Sequence, residues 1–164
     1  MAGTTFNADE IFEMAEEIER NGSRFYREAA RIAPDKQTEK MLLDFAVMED
    51  GHLKTFQQMR RQLSDREKEP TAFDPNNEAA MYLQTMAAGH GTEGRKSRTD
   101  KLTGDESIRQ ILEIAVDAEK NSVVYYTGLK EMVPPRAGRD KIEAIITEEL
   151  GHLAALNQKL AALG

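Results

Sequence analysis

Glu49 and His52 stand three residues apart in MEDGHL at 48–53, and Glu149 and His152 stand the same way in EELGHL at 148–153. The chain has only three histidines, so two of them occupy one place in two copies of a motif 100 residues apart. On a helix, Glu-x-x-His puts a carboxylate and an imidazole on one face, one turn apart. An oxygen and a nitrogen donor at that spacing suit a divalent metal ion. One such pair by itself is usually part of a solvated helix face, so the weight falls on the repetition and on what accompanies it.

The repeat extends well beyond the two motifs. Ile11, Glu13, Ala15, Glu19, Asn21, Tyr26 and Pro34 return as Ile111, Glu113, Ala115, Glu119, Asn121, Tyr126 and Pro134, and Gln58 returns as Gln158. A long repeat without insertions signals a duplicated supersecondary unit. Two copies are too few for a solenoid, which points to a single pseudo-twofold domain spanning 1–164.

Each copy reads as two helices. Ile11, Ile18, Phe25 and Ile32 recur every seven residues, with Met14, Ala15, Gly22 and Ala29 between them. This is an amphipathic stripe. Asn7 followed by Glu10 suits a helix start, and Pro34 a stop. The second helix carries Leu42, Phe45, Glu49, His52, Phe56 and Met59 on one face. The spacing predicts a third helix opened by a Thr103–Glu106 capping box, carrying Ile111, Ala115, Ala118, Tyr125 and Met132, and ended by Pro134–Pro135. The fourth matches the second, with Ile142, Ile145, Glu149, His152 and Leu156. Strand signals are absent. The hairpins fall at about 7–65 and 103–163, with a crossover at 66–102. Its 64–77 approach is linker-like and 78–90 could form a short helix. Two helical hairpins joined by a long crossover make an all-α, ferritin-like four-helix bundle.

The turns set the register. Glu19 precedes Pro34 by as many residues as Glu49 follows it, and Glu119 and Glu149 stand in the same relation to Pro134. At about 1.5 Å of rise per residue, each glutamate lies roughly 22 Å from its turn. Glu19 is therefore level with Glu49, and Glu119 with Glu149. Packing the hairpins face to face brings four carboxylates and two imidazoles to one height inside an apolar stripe. Unpaired, these groups would be costly to bury and would repel one another. Two divalent cations would balance four carboxylates, with Glu49 and Glu149 in equivalent bridging roles. One glutamate from each of two helices plus Glu-x-x-His from each of the other two is a di-metal carboxylate arrangement.

Other residues are less decisive. Tyr26 and Tyr126 lie two turns beyond Glu19 and Glu119. They fit either hydroxyl donors to those carboxylates or core aromatics with a polar tip. Gly22 and Ser122 lie one turn beyond the same glutamates, where small groups could admit a ligand or allow close helix packing. Glu13, Glu16 and Glu17 read as solvated face. His90, between two glycines and without a repeat partner, reads as a loop residue.

Composition excludes several classes. A net charge of −7 argues against nucleic acid as the main partner. The basic run Arg95, Lys96, Arg98 and Lys101 sits in a Gly/Ser/Thr-rich stretch and reads as solvated loop. With no cysteine, the chain cannot form disulfides, iron–sulfur clusters or a cysteine-bound iron site. No apolar run approaches a membrane span, and the start of the chain lacks the marks of a secretory signal, so the expected location is cytoplasmic.

The segments AEEIERNGSRFYREAA, EDGHL, AEKNSVVYYTGL and EELGHL together resemble the rubrerythrin-like branch of the ferritin-like superfamily. The resemblance implies that Glu19, Glu49, His52, Glu119, Glu149 and His152 ligate two iron ions. It also implies reduction of hydrogen peroxide, or reaction with dioxygen, at the diiron centre. Two departures stand out. Rubrerythrins proper have a further glutamate one turn beyond the position of Glu119, where this chain has Ser122, and they carry a cysteine-bound rubredoxin iron. A separate electron donor is therefore expected, as is a homodimer. Manganese or another divalent metal is the alternative to iron. An iron-binding, storage or sensing module, or a ferroxidase, is the alternative to a peroxidase or oxidase.

Overall fold

A computed structural model of the chain describes residues 8–63, 102–133 and 138–164. Within them the chain forms four helices: α1 (Ala8–Arg31), α2 (Lys36–Arg61), α3 (Ile108–Met132) and α4 (Arg139–Ala162). The helices α1 and α2 form one hairpin, and α3 and α4 the other. None of them is long and apolar enough to cross a membrane.

Side chains show how the hairpins are set against each other. Tyr125 near the end of α3 donates its hydroxyl to the carbonyl of Ile11 near the start of α1, at 2.8 Å. Lys159 near the end of α4 lies 3.8 Å from Asp35, which caps the start of α2. The two hairpin turns thus lie at opposite ends of the bundle, as a twofold relation between the copies requires. By the same token α2 ends, and α3 begins, at opposite ends.

The core is divided in two. One apolar cluster includes Ile11, Phe12, Ile18, Phe56, Met59, Tyr125, Leu129, Ile142 and Ile145. The other includes Phe25, Ala29, Leu42, Phe45, Ile111, Leu112, Ala115 and Leu156. Between them in every helix fall the stretches 19–22, 49–52, 119–122 and 149–152. Apolar packing therefore clamps the bundle above and below a polar layer.

Local chemistry sets the helix ends. Asp35 has extended backbone and accepts from the Thr38 amide at 2.7 Å, capping α2. Gly138 precedes α4 with φ +98°, a region that favours glycine.

The start of α3 differs from expectation. Thr103 and Glu106 do pair, with the Thr103 amide 2.8 Å and the Gly104 amide 3.0 Å from the Glu106 carboxylate. These bonds, the Thr103 amide foremost, hold the Glu106 carboxyl down to about 2. Yet they close a turn, because Gly104 takes φ +89° and a helix cannot propagate through it. Ser107 is the true cap: its Oγ accepts from the Gln110 amide and the Gln110 side chain accepts from the Ser107 amide.

Two further expectations are corrected. Ile32 does not extend the apolar stripe; it lies just past the end of α1 and is 41% exposed. Glu16 is not on a solvated face but is buried, at 3.0 Å from the Arg20 guanidinium and 3.5 Å from that of Arg60 on α2. The Asn7 start signal, the Pro134–Pro135 stop, the crossover 66–102 up to residue 101 with its 78–90 segment, His90 and the basic run at 95–101 lie outside the described residues.

Replacing Ser107 with Ala is expected to lower stability by about 1 kcal/mol, as loss of an N-cap does. Thr103→Ala is expected to cost less, since it touches only the preceding turn. Urea denaturation of both variants checks this. A larger loss for Thr103→Ala would place the cap wrongly.

Candidate metal centre

The polar layer contains Glu19 from α1, Glu49 and His52 from α2, Glu119 from α3, and Glu149 and His152 from α4, all buried. Each is placed by the helical period that buries its apolar neighbours: Glu19 follows Ala15 by one turn, and His52 precedes Phe56 by one turn. All six sequence-predicted groups come together.

They form two overlapping sets. Glu19, Glu49, His52 and Glu149 can each direct one donor atom to a shared point, and so can Glu49, Glu119, Glu149 and His152; within each set the donor atoms lie within 4.8 Å of one another. Glu49 and Glu149 belong to both. Their oxygens divide accordingly. His52 Nδ1 lies 3.0 Å from Glu149 Oε1, 3.6 Å from Glu49 Oε2 and 3.5 Å from Glu19 Oε2. His152 Nδ1 lies 3.0 Å from Glu149 Oε2, 3.6 Å from Glu49 Oε1 and 3.3 Å from Glu119 Oε1. Each central carboxylate thus presents one oxygen to either side. The two imidazoles are stacked, with ring centroids 6.2 Å apart.

The layer is electrostatically unsatisfied on its own. Glu19 Oε2, His52 Nδ1 and both Glu149 oxygens are buried and make no well-aligned hydrogen bond among the described residues, although the imidazole nitrogens stand at ion-pair distance from the carboxylates. Buried polar atoms are nearly always well hydrogen-bonded, so four that converge here with only ion-pair contacts to one another suit a shared cation. Burial, reinforced by neighbouring carboxylates, raises Glu49 well above the usual carboxylate range, beside Glu19, and raises Glu119 to about 8, beside Glu149. Glu19 is raised too, again chiefly by burial. For Glu149, burial and the Glu49 charge are outweighed by His152 and His52, which hold it low. The histidines respond in the opposite sense. Burial opposes their charge, but Glu119 and Glu149 push His152 up to about 10, and Glu149 and Glu19 push His52 up as well. Protons on the imidazoles thus partly offset the carboxylates where cations would do so fully. The donor set, six oxygen- or nitrogen-bearing side chains without sulfur, fits hard or borderline divalent cations.

The tyrosines are hydroxyl donors, and they act across the hairpins. Tyr26 of α1 donates to Glu119 Oε1 of α3, and Tyr126 of α3 donates to Glu19 Oε1 of α1. Burial, then the nearby carboxylates, keep both phenols protonated well above their ordinary range.

Gly22 and Ser122 border a cavity of about 20 Å³ that also touches Tyr26, Glu49 and Glu119. A Cβ on Gly22 would sit 3.3 Å from Glu49 Cδ, so the missing side chain leaves the central carboxylate its place. Ser122 is buried and donates to the Ala118 carbonyl of its own helix at 3.1 Å.

Sequence reasoning did not find the contacts on the far side of each imidazole. His52 Nε2 lies 3.0 Å from Glu148, and His152 Nε2 lies 3.4 Å from the sulfur of Met48 while its ring stacks on Phe45 at 4.4 Å. The signal was available, since the two motifs differ at only two places, Met48 against Glu148 and Asp50 against Leu150.

The fold is similar to the crystal structure of a Thermotoga maritima protein described as ferritin-like and diiron-carboxylate, with a TM-score of 0.72 and 22% identity over 98% of each chain. At that identity the likeness speaks for the ferritin-like fold alone. No curated protein sequence matches the chain. The model of the rubrerythrin family matches residues 10–160, which takes in all four helices and every member of the buried Glu/His cluster, and the chain belongs to that family.

Proposed function

We propose that the six buried groups hold two iron ions, with Glu49 and Glu149 shared between them, and that the centre reduces hydrogen peroxide or dioxygen. The observation that carries this proposal is the division of the Glu49 and Glu149 oxygens between the two histidine-bearing sets. Carboxylates that each face two positions are what a paired metal site needs, and an isolated charge network does not require it.

When bound, two ferrous ions supply one electron each, which matches two-electron cleavage of a peroxide bond to two waters with uptake of two protons. The residues of the chain do the rest. The four glutamates and two histidines bind and space the ions. Tyr26 and Tyr126 hold Glu119 and Glu19 in place by hydrogen bonds, which orients the ligands. The two apolar clusters exclude bulk water from above and below. To hold a metal, His52 and His152 would act as neutral imidazoles and give up the protons that the neighbouring carboxylates favour on them. A cavity of about 20 Å³ beside Glu49 and Glu119 has room for little more than a water-sized molecule, which favours a small oxidant over an organic substrate. Ser122 bonds to its own helix and supplies no carboxylate, so the chemistry proposed here runs without a further glutamate at that position. With no cysteine in the chain, the electrons come from a separate donor.

Two outcomes are expected. Under anaerobic iron loading, the protein should take up close to two ions per chain by elemental analysis. Glu49→Ala and Glu149→Ala should each abolish the pair, while Glu13→Ala, at an exposed position, should leave the content unchanged. Equal losses in all three would remove the proposed ligand set.

Stopped-flow mixing of the diferrous protein with hydrogen peroxide and with dioxygen should show faster ferric absorption with peroxide. Equal or faster reaction with dioxygen would favour an oxidase or ferroxidase. Reaction with neither would favour an iron-binding module.

A further inference from the structure

The repeat is broken at the two contacts that hold the outer edges of the imidazoles. In both histidines Nδ1 faces the central carboxylates, so Nε2 is the nitrogen left to carry a proton outward. On one side, His52 Nε2 meets the carboxylate of Glu148 at 3.0 Å. On the other, His152 Nε2 meets the thioether of Met48 at 3.4 Å. A carboxylate is a strong, charge-assisted acceptor, whereas a thioether is a weak one. The His152 ring is held instead by stacking on Phe45, and the counterpart position carries Ile145.

We propose that Glu148 is a positioning residue for His52 and that the two metal positions are therefore unequal, the position formed by Glu19, Glu49, His52 and Glu149 being the tighter. This rests on the two-metal proposal above. A carboxylate on the outer nitrogen fixes the tautomer and the ring orientation, and it strengthens the inner nitrogen as a donor. Met48 and Phe45 orient His152 without that donation. Loading is then sequential, first beside His52 and second beside His152. Glu148 is exposed, so replacing it leaves the packing of the bundle intact.

Anaerobic calorimetric titration of the whole chain with ferrous iron tests this. The unaltered protein should bind two ions with distinct affinities. Glu148→Met should weaken the tighter one by about 10- to 100-fold, the usual effect of losing such a partner, and leave the weaker one unchanged, with the helical circular dichroism of the metal-free protein retained. Glu148→Gln keeps a carbonyl oxygen in reach of Nε2 and should retain most of the affinity. Met48→Glu should tighten the weaker ion and bring the two affinities together. If two ions bind but Glu148→Met affects neither, or both alike, or if Glu148→Gln is as damaging as Glu148→Met, the inequality is overturned and the two-metal centre stands. If the unaltered protein binds fewer than two ions, both fall.

Discussion

Four carboxylates buried in one layer of an apolar bundle are the constraint on which the rest of this structure depends. Removing a charged group from water costs several kcal/mol even after relaxation, and here Glu19, Glu49, Glu119 and Glu149 are all nearly inaccessible. Tyr26, Tyr126, His52 and His152 all turn their polar atoms toward this layer. These contacts reduce the imbalance without removing it: four carboxylates face two imidazoles, and the oxygens of Glu149 and Oε2 of Glu19 meet them without a well-aligned hydrogen bond. The apolar clusters on either side bound the layer and hold the hairpins together.

Much of this was legible in the sequence because helices convert residue number into height. Equal distances from Glu19 and Glu49 to the intervening turn place them level, and the same arithmetic in the second copy places Glu119 and Glu149. Apolar periodicity then identifies which face points inward. Where that reasoning failed, the deciding interaction crossed between helices or depended on one backbone angle. Glu16 reads as solvated along α1, where it pairs with Arg20, because the helix that covers it, with Arg60, is α2, and no period along α1 reveals that. Thr103–Glu106 has the composition of a helix cap, but the positive φ of Gly104 turns it into a preceding turn.

The tyrosines illustrate the same limit. Their spacing from Glu19 and Glu119 suggested carboxylate partners but not which ones. Helical side chains lean toward the N-terminus, so each hydroxyl reaches back to the glutamate layer from two turns away. Because α1 and α3 run in opposite directions side by side, it arrives at the neighbouring hairpin. The crossed bonds tie the copies together and make the layer a property of both. The duplication gives the site its symmetry, and positions 48 and 148 take part of it away again.

The central claim is that Glu49 and Glu149 each stand between two metal ions. Anomalous diffraction at the iron absorption edge, from crystals loaded anaerobically with ferrous iron, addresses it most directly. The expected result is two peaks per chain about 3.5–4 Å apart, both in contact with Glu49 and Glu149, one beside His52 and the other beside His152. A single peak, or two peaks that do not share both glutamates, would contradict it.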